Sequence, residues 1–295
     1  MGKKKTVRIA RPVTGPAHRL TLGYYFGGKA GLAPWIIGHL PPHTCYVEPF
    51  GGSAAVLLQR TPPAPREVYN DLDYQVATLF RVLRERPQEL IRQVYFTPFS
   101  LAAVAEAARR VPDEWPDYEL EVARRFLVRT KQTRAGATRR DPPKWLAQKD
   151  TARDGYYAQE WTDYPGELLA IAARFKHVQI EQRDAAEVIA DYDTPDTCFY
   201  VDPPYPGQRA GTYRCELAAD GHAELAKMLH QIQGMAIVSG RPGPYEALYQ
   251  DWLRVETQAP TQGKPATEYL WLSPAVQKRG VQPPLFPGVE LADAL

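Results

Sequence analysis

The chain has 295 residues, of which 44% are hydrophobic and 24% charged, and its net charge is +2. That is enough apolar material for one sizeable core, and it excludes a disordered or fibrous chain. No apolar run reaches the roughly eighteen residues of a membrane helix, and the basic start Met1 to Thr6 lacks the apolar stretch of a secretion signal, so a cytoplasmic location with no membrane partner is expected. Cys45, Cys198 and Cys215 form no close pair, so neither a disulfide framework nor a metal site is expected.

In chain order, the segment Gly23 to Ala30 superficially fits a phosphate-binding loop, but Ala30 stands where the magnesium-binding hydroxyl is required. Lys29 is better read as a cation for a carboxylate. Short apolar runs rich in β-branched and aromatic residues predict seven strands: Tyr46–Glu48, Glu67–Tyr69, His177–Ile180, Thr197–Val201, Met235–Ser239, Trp252–Glu256 and Glu268–Leu272. Helical patterns lie between most of them, which is the α/β signal.

The first strand runs through Glu48-Pro49-Phe50-Gly51-Gly52 into an apolar helix start, an arrangement that lets backbone amides approach a cofactor. The second ends at Asn70-Asp71, and an acid about twenty positions beyond the glycines suits a ribose diol. Between about Asp73 and Arg174 the spacing of Val76, Leu79, Phe80 and Leu83, and later of Leu120, Ala123, Phe126 and Leu127, is helical. From Arg124 to Arg153 ten basic residues stand against two acidic ones, Asp141 and Asp150. Such a run serves as a solvated face or as a phosphate-binding surface.

Most informative is the fourth strand, which leads directly into Asp202-Pro203-Pro204-Tyr205. An exocyclic amine on an aromatic base is a poor nucleophile, because its lone pair is delocalised into the ring. Acceptors on both of its N–H groups, here the Asp202 carboxylate and the Pro203 carbonyl, favour a more nucleophilic nitrogen. The prolines fix the backbone so that this carbonyl faces the cleft. Tyr205 offers a flat ring for a base taken out of its stack.

These segments, with Glu268-Tyr269-Leu270-Trp271, resemble in content and order the Dam-like DNA adenine N6-methyltransferases. The resemblance implies an α/β, Rossmann-like fold dependent on S-adenosylmethionine, with a seven-stranded, mostly parallel sheet and a helical insertion for target recognition. Residues 1–73 and 176–273 would form the catalytic domain, 74–175 the insertion and 274–295 a flexible tail. It further implies a cofactor pocket of Tyr25, Phe26, Gly27, Gly28, Lys29, Glu48, Pro49, Phe50, Gly51, Gly52, Asp71 and Asp184. Within it, Lys29 would lie near the methionine carboxylate, Asp71 on the ribose and Asp184 on the adenine amino group. Two positions depart from the family's pattern: Ala185 stands where an aromatic residue often follows the acid, and Ala54 where a loop glycine is frequent.

The implied partner is double-stranded DNA, methylated at a short site by base flipping in the manner of restriction-modification enzymes, by a monomer that needs no metal. Lys131, Arg134, Arg139 and Arg140 would contact DNA, while Trp145, Tyr156, Tyr157 and Trp161 would anchor the insertion's own core. Cytosine N4 or RNA adenine as target, and a DNA-binding module without catalysis, remain open at this point; Asp202 as the first residue of its motif favours adenine by family likeness. In the tail, Gln282, Leu285 and Phe286 have the spacing of a short motif that docks bacterial DNA-processing proteins on the sliding clamp.

Overall fold

The computed structural model describes residues 20–23, 27–133, 145–147, 156–205, 215, 217–259 and 266–280. Its strands are β1 Cys45–Glu48, β2 Arg66–Asn70, β3 Val178–Glu181, β4 Thr197–Val201, β5 Met235–Gly240, β6 Leu253–Ala259 and β7 Ala266–Leu272. Each expected strand is present; the main difference is that β6 and β7 pair further outward, to Ala259 and Ala266. The helices are α1 Ala33–Ile37, α2 Ala55–Gln59, α3 Tyr74–Glu85, α4 Pro87–Phe96, α5 Leu101–Ala107, α6 Tyr118–Gln132, α7 Tyr156–Phe175, α8 Ala185–Tyr192, α9 Ala219–Leu229, α10 Pro244–Leu248 and α11 Pro274–Arg279.

The strands form one sheet in the order β3-β2-β1-β4-β5-β7-β6. Pairing is parallel from β3 through β5, while β7 lies antiparallel between β5 and β6. Strands buried on both faces read as continuous apolar runs, which is why β1, β4 and β5 were visible in the sequence. Alternate side chains serve opposite faces. Tyr46, Tyr69, Tyr200 and Ile237 face the core shared with α1, α3 and α7, whereas Val47, Val68, Phe199 and Val238 face α8 and α9. The chain leaves β1 toward β2 and β3, then crosses to β4 on the other side. The loops after β1 and β4 therefore diverge, and a crevice opens at the carboxyl ends of these strands.

The helices from α3 to α7 share one continuous core with the sheet. Phe80 of α3 and Phe175 of α7 stack with ring centroids 4.1 Å apart, and Tyr69 of β2 lies 4.6 Å from Phe80. Trp161 is buried as expected and donates to the Thr97 carbonyl, but the core it joins is continuous with the sheet rather than one of the helical region's own.

Two expectations need correction. The basic run does not all face outward, because α6 occupies the middle of the helical region and its cations reach inward for partners. Arg124 and Arg125 bind Glu121, and Arg129 donates to the Ala107 carbonyl and to Gln75. Lys131, expected on DNA, is 8% exposed, pairs with Glu167 at 3.3 Å and lies 4.1 Å from the centroid of the Tyr164 ring. Buried charge demands such pairing, so these four cations belong to the fold. Arg134, Arg139 and Arg140 lie outside the described residues.

The tail, expected to be unstructured from residue 274, begins instead with α11. Pro274 fits the first turn of a helix, where no amide hydrogen is needed, and Val276 is buried. Arg279 then ties the helix end to Asp196 and to the Pro195 carbonyl. Gln282, Leu285 and Phe286 lie outside the described residues.

Candidate active site

A cavity of about 340 Å³ opens at the carboxyl ends of the parallel strands. Each of β1, β2, β3 and β4 delivers an acid to it: Glu48, Asp71, Asp184 and Asp202. Gly27, Gly28, Lys29 and the loop from Pro49 to Ser53 complete the wall. Tyr25 and Phe26 lie outside the described residues. Phe50 and Leu72 are the large apolar groups near the β1 and β2 loops, and Leu72 is half exposed with no core to enter.

The loop after β1 is shaped by contacts that its sequence only partly announces. Gly51 packs its backbone against the Tyr69 ring so closely that a Cβ would lie 2.2 Å from a ring carbon. Ala54, the departure noted above, takes the left-handed conformation usually left to glycine, with φ 54° and ψ 32°. The Gly52 amide donates to Asp71 Oδ2, and the Asp73 amide donates to Oδ1. Each oxygen keeps a further lone pair, so Asp71 can hold the loop and still accept from a ligand hydroxyl. Burial pushes the Asp71 carboxyl up to about 6 against the opposing effect of these two amides. Asp184 caps α8 by accepting from the Ala186 amide.

Asn70, named above only beside Asp71 and given no role there, joins three loops. Its side-chain amide donates to the carbonyls of Pro49 and Arg183, and its oxygen accepts from the Arg183 amide. The signal for it in the sequence is a polar residue that ends the Val68-Tyr69 stretch of β2.

Glu48 is fully enclosed, accepting from the Tyr46 hydroxyl and the Leu57 amide, both at 2.8 Å. Burial raises its carboxyl to about 8, outweighing those two hydrogen bonds. A carboxyl whose pKa rises on folding stabilises the fold fully only below its unfolded value, and that contribution disappears as pH rises through the folded value. Glu48→Gln keeps an acceptor oxygen without the ionisation. Its stability relative to the parent chain should therefore increase from pH 5 to pH 8, by at most about 1.4 kcal/mol per pH unit. Thermal unfolding across that range checks this; parallel curves for the two proteins would contradict it.

Lys29 and Asp202 are far apart in sequence and meet in the cavity. The ammonium donates to both carboxylate oxygens, at 2.9 and 2.8 Å, and to the Gly27 carbonyl at 3.0 Å. Burial opposes its charge, yet Asp202, with Tyr200 and Glu268 nearby, holds it above the ordinary lysine range. Lys29, expected near a cofactor carboxylate, is thus already on an acid of the protein. Pro203 is buried and Pro204 lines the cavity. The Tyr205 ring lies 4.9 Å from the Lys29 ammonium, and its hydroxyl contacts Glu268 and Ser239, neither of which the sequence pointed out as its partner.

The model of the D12 class N6 adenine-specific DNA methyltransferases matches residues 25–258. The chain belongs to this family. The match spans the crevice, the helical region and the Asp202 motif, so the D12 methyltransferase uses S-adenosylmethionine to methylate the N6 amine of adenine in DNA. No curated protein is similar enough to count as a relative. Among the described residues, no helix of the D12 methyltransferase is long and apolar enough to cross a membrane.

The cavity fits the D12 methyltransferase's cofactor chemically. Its volume falls in the range of small-molecule sites. Its acids suit the ammonium, hydroxyl and amino groups of a cationic nucleoside, and Phe50 and Leu72 offer the apolar surface that Ala185 lacks.

Proposed function

We propose that the D12 methyltransferase flips adenine out of double-stranded DNA at a short specific site and holds its amine with Asp202 and the Pro203 carbonyl. The observation that carries this reading is the Asp202 carboxylate at the carboxyl end of β4, fixed by two bonds from Lys29 beside the cavity. Bound S-adenosylmethionine supplies an electrophilic methyl group on a positively charged sulfur. The protein's task is to present the amine. Asp202 accepts from one N–H through a lone pair that Lys29 leaves unused, the Pro203 carbonyl accepts from the other, and Tyr205 stacks on the base. Glu48, Asp71, Asp184, Phe50 and the Gly51-Gly52 turn would hold the cofactor, with Gly27 and Gly28 closing over it.

Sequencing that reports both modified base and context, on DNA from cells making the protein, tests this reading. N6-methyladenine at one short motif is expected; N4-methylcytosine, or no modification, would overturn it. Residues 74–175 would read the site, with Arg139 and Arg140 on phosphates. Replacing both arginines by alanine should weaken DNA binding and lower the slope of log affinity against log salt by about two. An unchanged slope in a binding titration would remove them from the interface.

The enzyme is further proposed to act as a cytoplasmic monomer. Docking on a sliding clamp through Gln282, Leu285 and Phe286 rests on residue spacing alone. Direct binding of the purified chain to its host's clamp decides it, and no binding ends the idea.

A further inference from the structure

Tyr205 stands beyond the end of β4, where no strand pairing holds its backbone. Its side chain is held instead by β5, the next strand in the sheet, and by β7 beyond it. The hydroxyl donates to Glu268 Oε2 at 3.1 Å and lies 3.3 Å from Ser239 Oγ. Both partners are buried, at 7% and 2% exposure, so neither has water to replace a lost hydrogen bond. Ser239 pairs with Leu270 and Gly240 with Tyr269 in the antiparallel β5–β7 ladder, which brings the end of β5 alongside Glu268. Arg241, just past that end, approaches Glu268 Oε1 at 3.7 Å and lies 5.7 Å from the centroid of the Tyr205 ring.

We propose that Glu268 is a positioning residue for methyl transfer, tethering the Tyr205 hydroxyl so that the ring is held ready for the target adenine. The hydroxyl lies on the axis about which the ring itself turns. A tether there stops the ring from swinging about its Cα–Cβ bond, while the Lys29 and Arg241 side chains beside the ring restrict its turning. A ring ordered before the base arrives loses less freedom on stacking, and the base is presented to Asp202 in a single orientation. The proposal rests on the stacking role given to Tyr205 above.

The test is a double-mutant cycle on the full chain, reading kcat, the KM for DNA and cofactor affinity. Glu268→Ala should lower kcat on the order of tenfold, as expected when a buried hydrogen-bonding group is left without its partner, with cofactor affinity unchanged. Glu268→Gln, which can still accept from the hydroxyl, should recover most of the rate. Tyr205→Phe removes the same bond from the other side and should cost a similar factor. The double variant Glu268→Ala with Tyr205→Phe should be no slower than either single one, because one interaction cannot be lost twice. Losses that multiply in the double variant would overturn the proposal, as would a parental rate in Tyr205→Phe, which also decides the matter if Glu268→Ala does not fold. A parental rate in Tyr205→Ala would instead overturn the stacking role itself.

Discussion

Asp202→Ala is expected to lower kcat for methyl transfer by at least about a hundredfold, the scale of losing one preorganised polar group from an active site. The carboxylate has no substitute: among the described residues, the other acids at the strand ends, Glu48, Asp71 and Asp184, are each engaged with backbone amides. Alanine also takes from the Lys29 ammonium its carboxylate partner, leaving it, among the described residues, the Gly27 carbonyl and the Tyr205 ring as close contacts. Asp202→Asn separates the two effects, since it keeps the shape and one acceptor for Lys29 but puts an amide donor where the second carboxylate oxygen stood. Both variants should be slow in single-turnover methylation while binding cofactor nearly as the parent does. Turnover close to the parent's in both would remove Asp202 from the chemistry.

Gly51→Ala should have the second large effect, on cofactor affinity rather than on the chemical step. The added Cβ would lie 2.2 and 2.5 Å from two carbons of the Tyr69 ring. That ring cannot withdraw, because Tyr69 is fully buried against Phe80 and Phe175, and its hydroxyl donates to the Gly52 carbonyl at 2.7 Å. The loop must move instead, and with it the Gly51 amide bonded to the Asn70 carbonyl and the Gly52 amide bonded to Asp71. Overpacking of this kind costs about 1–3 kcal/mol. A loss of at least about tenfold in cofactor affinity is expected, since 1.4 kcal/mol corresponds to a factor of ten. Calorimetric titration and thermal unfolding measure the two effects. Unchanged affinity and unchanged melting temperature together would show that the loop tolerates the methyl group.

The sequence by itself determined where β1, β4 and β5 lie, because strands covered on both faces read as nearly continuous apolar runs, as in Thr197–Val201. It also indicated that Glu48, the last residue of its strand, and Asp71, Asp184 and Asp202, just beyond theirs, would lie at one edge of the sheet, since parallel strands end on the same side. Such features are local, written in a few consecutive residues. What is long-range was decided only by the tertiary structure. The pairing of Lys29 with Asp202 needs two segments 173 positions apart to meet, and no local pattern specifies which carboxylate a lysine will find. The inward turn of Arg129 and Lys131 depends on where α6 sits among α3, α5 and α7, since the same residues on an outer helix would be solvated. Ser239 reaches Tyr205 because β5 lies beside β4, and Glu268 because β7 enters the sheet antiparallel on the far side of β5. That arrangement follows from the topology of the whole sheet, which the residues around Tyr205 do not encode.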